Sequence, residues 1–428
     1  MSPLSHGRPA AKLGLALAAA AAAVAIAPAA SMAVTIPAFY TPPSSLPSGN
    51  GDLIRSESMK LGVSISTPSG TATRIMYKST DTNGQPVAVT GVYLEPSAKW
   101  QGSGPRPLVS YAEGTQGQGD QCAPSFGLEY GVQSSAVGYE VPNIGSLVNK
   151  GVAVVVTDYI GLGTTDRIHT YVNRVDQGHA VLDAARAATH VPGASINSSS
   201  PVGVYGYSQG GGAAASAAEL QPTYAPDVNL KGGYAGAPPA DLSAVMATAD
   251  GTTLTAVIGY AINGLVQTYP QLQPILDAQT NAAGKAALKA VSTGCISDAF
   301  AYAYKKTSSW TTSGQSVSQI AASNPQIQSV LAAQKIGTIK PNVPMEIVTG
   351  TKDDIVGHPQ AKQLAVDWCA KGANVNYVPV VQNVSSFGTS LNHLGPMLTN
   401  AAQSQSWLLA RLQGVASPSN CGSVPSLP

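Results

Sequence analysis

The segment that most constrains this chain is residues 202–212, in which a serine stands between glycines at a fixed spacing. It reads Val-Gly-Val-Tyr-Gly-Tyr-Ser-Gln-Gly-Gly-Gly, with Gly206, Ser208 and Gly210 two residues apart. The β-branched start predicts a buried strand, and the alanine-rich residues 209–220 predict a helix. At such a strand-to-helix turn a serine presents its hydroxyl as a nucleophile, and glycines suit the turn because a Cβ would strike neighbouring backbone.

The motif alone does not separate an enzyme from a glycine-rich turn in an ordinary α/β sheet. Glycine and serine are abundant in this chain, so the same spacing can arise by chance. The decision therefore depends on whether the rest of the sequence supplies chemical partners for Ser208.

Composition sets the class of protein. The chain has 428 residues, of which 44% are hydrophobic and 11% are charged, and its formal net charge is +1. It can bury a large core, and its charge balance points to no nucleic-acid partner and no acidic substrate.

The first 33 residues have the pattern of a secretory signal peptide. Arg8 and Lys12 are basic, residues 13–27 are apolar, and small residues precede a cleavage site near Ala33. The apolar run is shorter than the ~20 residues that span a membrane, so we expect no stable membrane anchor. The mature protein is predicted to be secreted and extracellular.

Four cysteines remain in the predicted mature chain. An even number in an exported protein predicts two disulfides, and the sequence allows three pairings. Metal binding is the rival interpretation, but the chain has no Cys-x-x-Cys motif and no close His–Cys cluster, so no metal site is expected. The cysteines are Cys122, Cys295, Cys369 and Cys421.

Strand and helix patterns alternate along most of the chain, which predicts a doubly wound, mostly parallel α/β sheet. A continuous apolar run at 152–156 is typical of a strand buried on both faces. Helices are expected at 176–190 and 209–220. The predicted strands are 73–77, 87–94, 108–111, 152–156, 202–205, 232–236, 345–349 and 375–381.

The alternation is interrupted between residues 238 and 339. Helical patterns occur there around 256–265 and 326–333. One interpretation is a set of ordinary crossover helices, but about a hundred residues are too many for one crossover. We expect a helical cap at 238–339, inserted into a core formed by 34–237 and 340–428.

A serine nucleophile needs a histidine to take its proton and a carboxylate to orient that histidine. In this fold the order along the chain should be serine, acid, histidine. After Ser208 the sequence has only His358 and His393. His393 follows the final predicted strand, whereas His358 lies on the same loop as the candidate acids, so His393 is the predicted base.

Asp353 is the predicted acid, because it comes just after the predicted strand 345–349. Asp354 remains the alternative, since adjacent residues there should point in different directions. The sequence therefore predicts a triad of Ser208, Asp353 and His393.

The transition state of acyl transfer also needs donors for its oxyanion. One should be the backbone N–H of Gln209, directly after the nucleophile. The other should come from the loop after strand 108–111, where Glu113 and Gly114 stand. Glu113 is either a residue of this oxyanion loop or a surface acid.

With these residues identified, the chain resembles the secretory lipase family of α/β-hydrolases over nearly all of its predicted mature length. The Cys-Ala-Lys-Gly-Ala-Asn stretch at 369–374 is more specific than the serine motif. The matching segments are 113–115, 122–125, 157–159 with Gly161 and Gly163, 206–211, 353–356, 369–374 and His393.

The resemblance implies several further features. Disulfides would join Cys122 to Cys295 and Cys369 to Cys421. A helical cap would cover an acyl tunnel, and the segment after about Val415 would act as a flap. Members of the family hydrolyse acylglycerols and other carboxylic esters, and the resemblance implies no metal and no organic cofactor.

The leading functional hypothesis is a secreted serine ester hydrolase, specifically a lipase that acts through an acyl-enzyme. Its expected substrates are lipids or other esters, including substrate at a lipid–water interface. The same triad serves short-chain esterases, acyltransferases and serine peptidases. A non-catalytic binding protein of this fold is the remaining alternative.

Overall fold

One mixed sheet organises the protein. The computed structural model describes residues 35–63, 67–131 and 138–428, and Ile36–Pro428 form one unit. The predicted signal peptide and Ala33 lie outside the described residues. The strands are β1 (Leu53–Met59), β2 (Gly70–Thr80), β3 (Pro86–Pro96), β4 (Leu108–Ala112), β5 (Ala153–Thr157), β6 (Val202–Tyr207), β7 (Leu230–Gly236), β8 (Met345–Gly350) and β9 (Val375–Val380).

Helices connect these strands. They are α1 (Pro124–Tyr130), α2 (Val141–Asn149), α3 (Arg174–Ala188), α4 (Gln209–Tyr224), α5 (Leu242–Ala249), α6 (Ala256–Thr268), α7 (Gln273–Gln279), α8 (Ala282–Val291), α9 (Ile296–Ala299), α10 (Val317–Ser323), α11 (Pro325–Ala333), α12 (His358–Ala370) and α13 (Leu391–Leu412).

The strand order of the sheet is β1-β2-β3-β5-β4-β6-β7-β8-β9. The pairs β1–β2, β2–β3 and β3–β5 are antiparallel, and all the pairs from β5 to β9 in that order are parallel. The predicted doubly wound, mostly parallel α/β-hydrolase sheet is therefore confirmed. Strand β1 was not predicted, because its sequence Leu-Ile-Arg-Ser-Glu-Ser-Met lacks an apolar alternation and the strand lies half exposed at the sheet edge.

Both faces of the sheet are buried under helices. The side chain of Val155 on β5 belongs to an apolar cluster with α3 and α4, whereas Val154 and Val156 belong to a cluster with α2 and α13. Helix α12 covers β8 and β9 on the same face as α4. This two-sided burial explains the continuous apolar run in the sequence.

The helices α5 to α11 lie between β7 and β8 in the chain. Their apolar side chains form a separate cluster, which also includes Tyr171 and Val172 from the segment before α3. Among the described residues, no helix is both long and apolar enough to span a membrane.

Two disulfides join the pairs that the family resemblance implied. Cys122 bonds to Cys295, at the start of α9, and Cys369 of α12 bonds to Cys421. The second bridge fixes the C-terminal segment beside β9, where the Asn420 N–H donates to the Val375 carbonyl at 3.0 Å. The first bridge joins the helices between β7 and β8 to the segment that follows β4.

Candidate active site

Ser208 lies at the sharp turn between β6 and α4. Its backbone has φ 58° and ψ −123°, a region that non-glycine residues rarely adopt, and its N–H donates to the Gly236 carbonyl at 2.9 Å. Such strain persists only where the surrounding structure fixes it, and it is concentrated at functional positions. The turn leaves Ser208 partly exposed although the strand before it is buried.

The two glycines of the motif allow close backbone contact. A Cβ at Gly206 would lie 2.2 Å from the Gly210 carbonyl oxygen, and a Cβ at Gly210 would lie 1.9 Å from the Ala112 carbonyl oxygen. Neither position therefore accepts a side chain. This contact also holds the end of β4, and the loop that follows it, directly against the serine turn.

His393 reaches Ser208 from the first turn of α13. Its Nε2 lies 2.9 Å from Ser208 Oγ, and only 2% of the residue is exposed. The hydroxyl of Tyr207, next to the serine, donates to the His393 carbonyl at 2.6 Å. The histidine is thus fixed through its backbone as well as its ring.

Asp353 binds the opposite side of the imidazole. Its Oδ2 lies 2.7 Å from His393 Nδ1, and its Oδ1 accepts the N–H groups of Ile355 and Val356, each at 2.9 Å. The Nδ1–H therefore donates to the carboxylate, which leaves Nε2 as the acceptor for the Ser208 hydroxyl.

The adjacent Asp354 points elsewhere, as the sequence suggested for one of the two acids. Its Oδ2 accepts the N–H groups of Gly388 and Ser390 at 3.0 Å, and its Oδ1 accepts the His393 N–H at 3.1 Å. Asp354 thus holds the start of α13, whereas Asp353 holds the imidazole ring. His358 begins α12, and its Nε2 lies 3.2 Å from the Tyr377 hydroxyl.

The electrostatics of the pair favour an ionised acid. Burial opposes the charge on Asp353, but the nearby His393 and the hydrogen bonds from its ring and from two backbone N–H groups lower the pKa of Asp353 below its usual value. Burial likewise opposes charge on His393, and the Asp353 carboxylate outweighs it, so the pKa of His393 is raised. The acid therefore stabilises the imidazolium that proton transfer from serine would create.

The loop after β4 differs from the prediction in detail. Glu113 is buried rather than a surface acid, and its carboxyl accepts the Gln116 amide at 2.9 Å. Burial raises its pKa well above the usual value, and the charges of Glu140 and Asp158 add to this. The Gly114 N–H donates to Glu140 Oε1 at 2.5 Å, so this N–H does not point toward Ser208.

Two residues near the site belong to no recognisable sequence motif. Glu140 holds Gly114, and His169 holds the side chain of Gln209, whose Nε2 lies 2.9 Å from His169 Nε2. His169 Nδ1 binds the Ile160 carbonyl, and burial lowers the pKa of this histidine to about 4. It is therefore neutral and fixes the residue after the nucleophile. Both contacts join segments far apart in the chain, which sequence spacing cannot reveal.

A cavity of about 300 Å³ opens beside Ser208 and His393. Most of its lining is apolar. The lining from the helices between β7 and β8 is Leu242, Val245, Met246, Leu254, Val257, Ile258, Ala261, Leu265, Ile296, Phe300 and Leu331.

A second, apolar cavity of about 100 Å³ lies among those helices. It shares Met246, Leu265 and Leu331 with the first cavity, so these side chains border both spaces.

The C-terminal segment does not take the flap position that the resemblance implied. No described residue after Val415 lines either cavity. Instead the segment follows β9, where the Tyr377 N–H donates to Asn420 Oδ1 at 2.8 Å and the Tyr377 hydroxyl donates to the Pro428 carbonyl at 3.1 Å. The disulfide to α12 fixes it there.

Comparison with known proteins identifies the family. The family model described as secretory lipase matches residues 128–420. A probable inactive lipase of Mycobacterium tuberculosis is 28% identical over 344 residues, which cover 79% of this chain and 75% of that protein. A secreted triacylglycerol lipase of Malassezia globosa is 24% identical over 397 residues, covering 90% and 82%.

Among solved structures, Candida antarctica lipase A in its closed state superimposes with a TM-score of 0.76 at 22% identity, covering 90% of this chain and 88% of that one. The likeness establishes the shared fold, and the family match covers the serine turn, both candidate acids and the histidine. The chain belongs to the secretory lipase family, a family of lipase and esterase hydrolases.

Proposed function

We propose that Ser208, His393 and Asp353 form a catalytic triad that hydrolyses carboxylic esters through an acyl-enzyme. The observation that carries this proposal is the continuous hydrogen-bonded chain from Ser208 Oγ through the imidazole to Asp353, at distances of 2.9 and 2.7 Å. A relative named as inactive makes the test on this chain essential.

The chemistry follows from the donors and acceptors. Ser208 Oγ attacks the ester carbonyl while His393 Nε2 accepts the hydroxyl proton, and the imidazolium then protonates the leaving alcohol. Water then attacks the carbonyl of the acyl-enzyme while His393 accepts its proton. Collapse of this adduct releases the carboxylic acid and returns the proton to Ser208. Asp353 keeps the imidazole in the required tautomer throughout.

Two backbone donors are proposed for the oxyanion. The Gln209 N–H is the first, because it begins α4 directly after Ser208, where N–H groups lack helical partners. The Gly114 N–H is bonded to Glu140, so we assign the second donor to Thr115, which lines the same cavity as Ser208 and Gln209. Each such donor lowers the barrier by a few kcal/mol.

The proposed substrates are acylglycerols and other esters with long acyl chains, and residues 238–339 are proposed to act as a cap over them. The apolar lining of the cavity beside Ser208 suits an acyl chain, and the adjoining second cavity would extend that space. A short-chain esterase or a peptidase would use the same triad without needing this apolar space, whereas an acyltransferase would differ in the acceptor that takes the acyl group from Ser208.

The test of substrate class is hydrolysis of p-nitrophenyl esters from acetate to palmitate. We expect activity to peak on long chains. Met246→Trp should fill the space between the two cavities, and it should lower activity on palmitate at least about tenfold relative to butyrate. The control is Ile339→Trp, at an exposed position that lines neither cavity.

A wild type confined to acetate and butyrate would contradict the long-chain assignment and favour an esterase. Inactivity on the whole series, with cleavage of peptide substrates, would overturn the ester assignment itself. Hydrolysis of butyrate by Met246→Trp serves as the check that the variant is folded.

We also propose that the protein acts on substrate at lipid–water interfaces through an apolar rim around the cavity. The rim is defined as Val384, Phe387, Leu391 and Leu398 on one side and Phe300 and Tyr304 on the other, with exposures between 45% and 67%. Phe300 and Leu398 also line the cavity, so its mouth opens within the rim.

Backbone hydrogen bonds join the two sides of the rim. The Thr253 N–H donates to the Gly388 carbonyl, and the Tyr304 N–H donates to the Thr252 carbonyl, both at 2.8 Å. Residues 372–410 contain no Asp, Glu, Lys or Arg. An exposed apolar surface whose larger side carries no charged residue suits contact with a neutral lipid surface.

The rim is tested by the double variant Val384→Ser, Phe387→Ser, since neither side chain lines the cavity. We expect partitioning onto triolein emulsions stabilised by phosphatidylcholine to fall at least about tenfold, because two apolar side chains no longer leave water. Hydrolysis of soluble p-nitrophenyl butyrate should be unchanged.

The matched control is Val415→Ser, which is 54% exposed and lies beyond the far end of α13, about 20 Å along the helix from Leu398, the nearest rim residue on it. Equal loss of emulsion binding in the control, or none in the double variant, would contradict the rim.

The first 33 residues are proposed to be a signal peptide cleaved near Ala33. Two disulfides and membership of a secretory family support export to an oxidising compartment. N-terminal sequencing of protein secreted by the expressing cells tests the cleavage position.

A further inference from the structure

Glu140 is a fully buried acid that binds the loop after β4. It precedes α2, and none of its surface is exposed. Its Oε1 accepts the Gly114 N–H at 2.5 Å, and its Oε2 accepts the Tyr111 hydroxyl at 2.6 Å. Burying a carboxyl group is costly unless hydrogen bonds compensate it, and here each carboxyl oxygen accepts one.

The group that Glu140 holds lies next to the proposed oxyanion site. Gly114 is followed directly by Thr115, which lines the cavity with Ser208. The Tyr139 hydroxyl donates to the Thr115 carbonyl at 3.3 Å, and Thr115 Oγ1 lies 2.6 Å from the Tyr171 hydroxyl. Hydrogen bonds thus hold the carbonyl and the side chain of Thr115, while Glu140 holds the N–H of the residue before it.

Glu140 also connects this loop to the serine strand. Tyr111, its second partner, stacks on Tyr205 of β6 with ring centroids 5.2 Å apart. Strand β6 leads directly to Ser208, and the Ala112 carbonyl at the end of β4 lies against the Gly210 backbone. One carboxylate therefore holds the loop after β4 directly and contacts the nucleophile strand through the Tyr111 ring.

We infer that Glu140 is a positioning residue. Its two hydrogen bonds hold residues 113–115 so that the backbone N–H of Thr115 points at the oxyanion that forms when Ser208 attacks the ester carbonyl. The inference rests on the proposed triad. It concerns a residue that touches neither substrate nor the reacting atoms, and it predicts an effect on the chemical step rather than on substrate binding.

The decisive variant is Glu140→Met, which keeps a similar volume and removes both acceptors. We expect kcat on p-nitrophenyl butyrate to fall between about tenfold and a hundredfold, less than the full loss of an oxyanion donor, with KM within about twofold. Inactivation by a fluorophosphonate should slow in parallel, because its adduct presents an oxygen to the same donors.

Glu140→Gln provides the conservative comparison. Its amide keeps one acceptor oxygen for the two donors, so we expect kcat to fall by about threefold, between wild type and Glu140→Met. A purely structural role would lower thermal stability without this graded loss of kcat.

The matched control is Glu346→Met, which removes another fully buried acid, on β8, where Glu346 Oε1 accepts the Asn376 amide at 2.8 Å. Its kcat should stay within about twofold of wild type. Ser208→Ala, assayed beside it, reports on the triad separately.

A folded Glu140→Met with wild-type kcat and wild-type phosphonate reactivity would overturn the positioning role while leaving the triad intact, provided Ser208→Ala is inactive. If Glu140→Met does not fold, Glu140→Gln decides: a kcat equal to wild type overturns the role. An active Ser208→Ala would instead overturn the proposed function.

Discussion

Replacing Ser208 with alanine should lower ester hydrolysis by roughly 10⁴- to 10⁶-fold, because the attacking oxygen is lost while the rest of the site remains. The fold should be preserved, since the turn depends on the Ser208 N–H bond to Gly236 and on the neighbouring glycines, which the substitution leaves in place. The measurement is kcat/KM on p-nitrophenyl butyrate together with the melting temperature.

Ser216→Ala is the matched control for this substitution. Ser216 is buried on the same helix α4, and its hydroxyl has no hydrogen-bond partner among the described residues. It should keep wild-type activity. Substantial hydrolysis by purified Ser208→Ala would exclude Ser208 as the nucleophile.

Asp353→Asn should lower kcat by roughly 10³- to 10⁴-fold with only a small change in KM. The amide cannot accept the Nδ1–H of His393 as the carboxylate does, so the imidazole no longer keeps the tautomer in which Nε2 accepts the Ser208 proton. The adjacent Asp354→Asn should act differently. It disturbs the three backbone hydrogen bonds at the start of α13, so a lower melting temperature is the main expected effect.

The pH dependence of kcat/KM provides a second test of the role of Asp353. The general base works when His393 is neutral, so kcat/KM of the wild type falls as the pH drops through the pKa of His393. The Asp353 carboxylate raises that pKa against the effect of burial. In Asp353→Asn the remaining activity should therefore fall at a lower pH than in wild type. The assignment of Asp353 would be contradicted if kcat/KM fell at the same acidic pH in wild type and in Asp353→Asn. Equal losses of kcat in Asp353→Asn and Asp354→Asn would also contradict it.

Local patterns were enough to predict the parallel sheet and the three residues that the structure brings together. The residues of the serine turn are contiguous in the sequence, and β5 is a continuous apolar run because both of its faces are buried. Asp353 and His393 could be ordered by their positions after late strands. Each of these inferences uses only spacing, periodicity or chain order.

What could not be predicted depends on contacts between distant segments. Nothing near Glu140 in the sequence shows that its carboxylate meets Gly114, and nothing near His169 shows that it meets Gln209. The choice of Gly114 as an oxyanion donor failed for this reason, because its N–H has a partner that comes from another segment. Strand β1 was missed because an edge strand needs little apolar sequence.

The most direct test of the central claim is to label the purified protein with a fluorophosphonate and locate the adduct by peptide mass spectrometry. We predict a single adduct on the peptide that contains Ser208, absent from Ser208→Ala and formed much more slowly in His393→Ala. An intact, soluble protein that stays unlabelled, or one labelled at another residue while Ser208 remains free, would contradict the account.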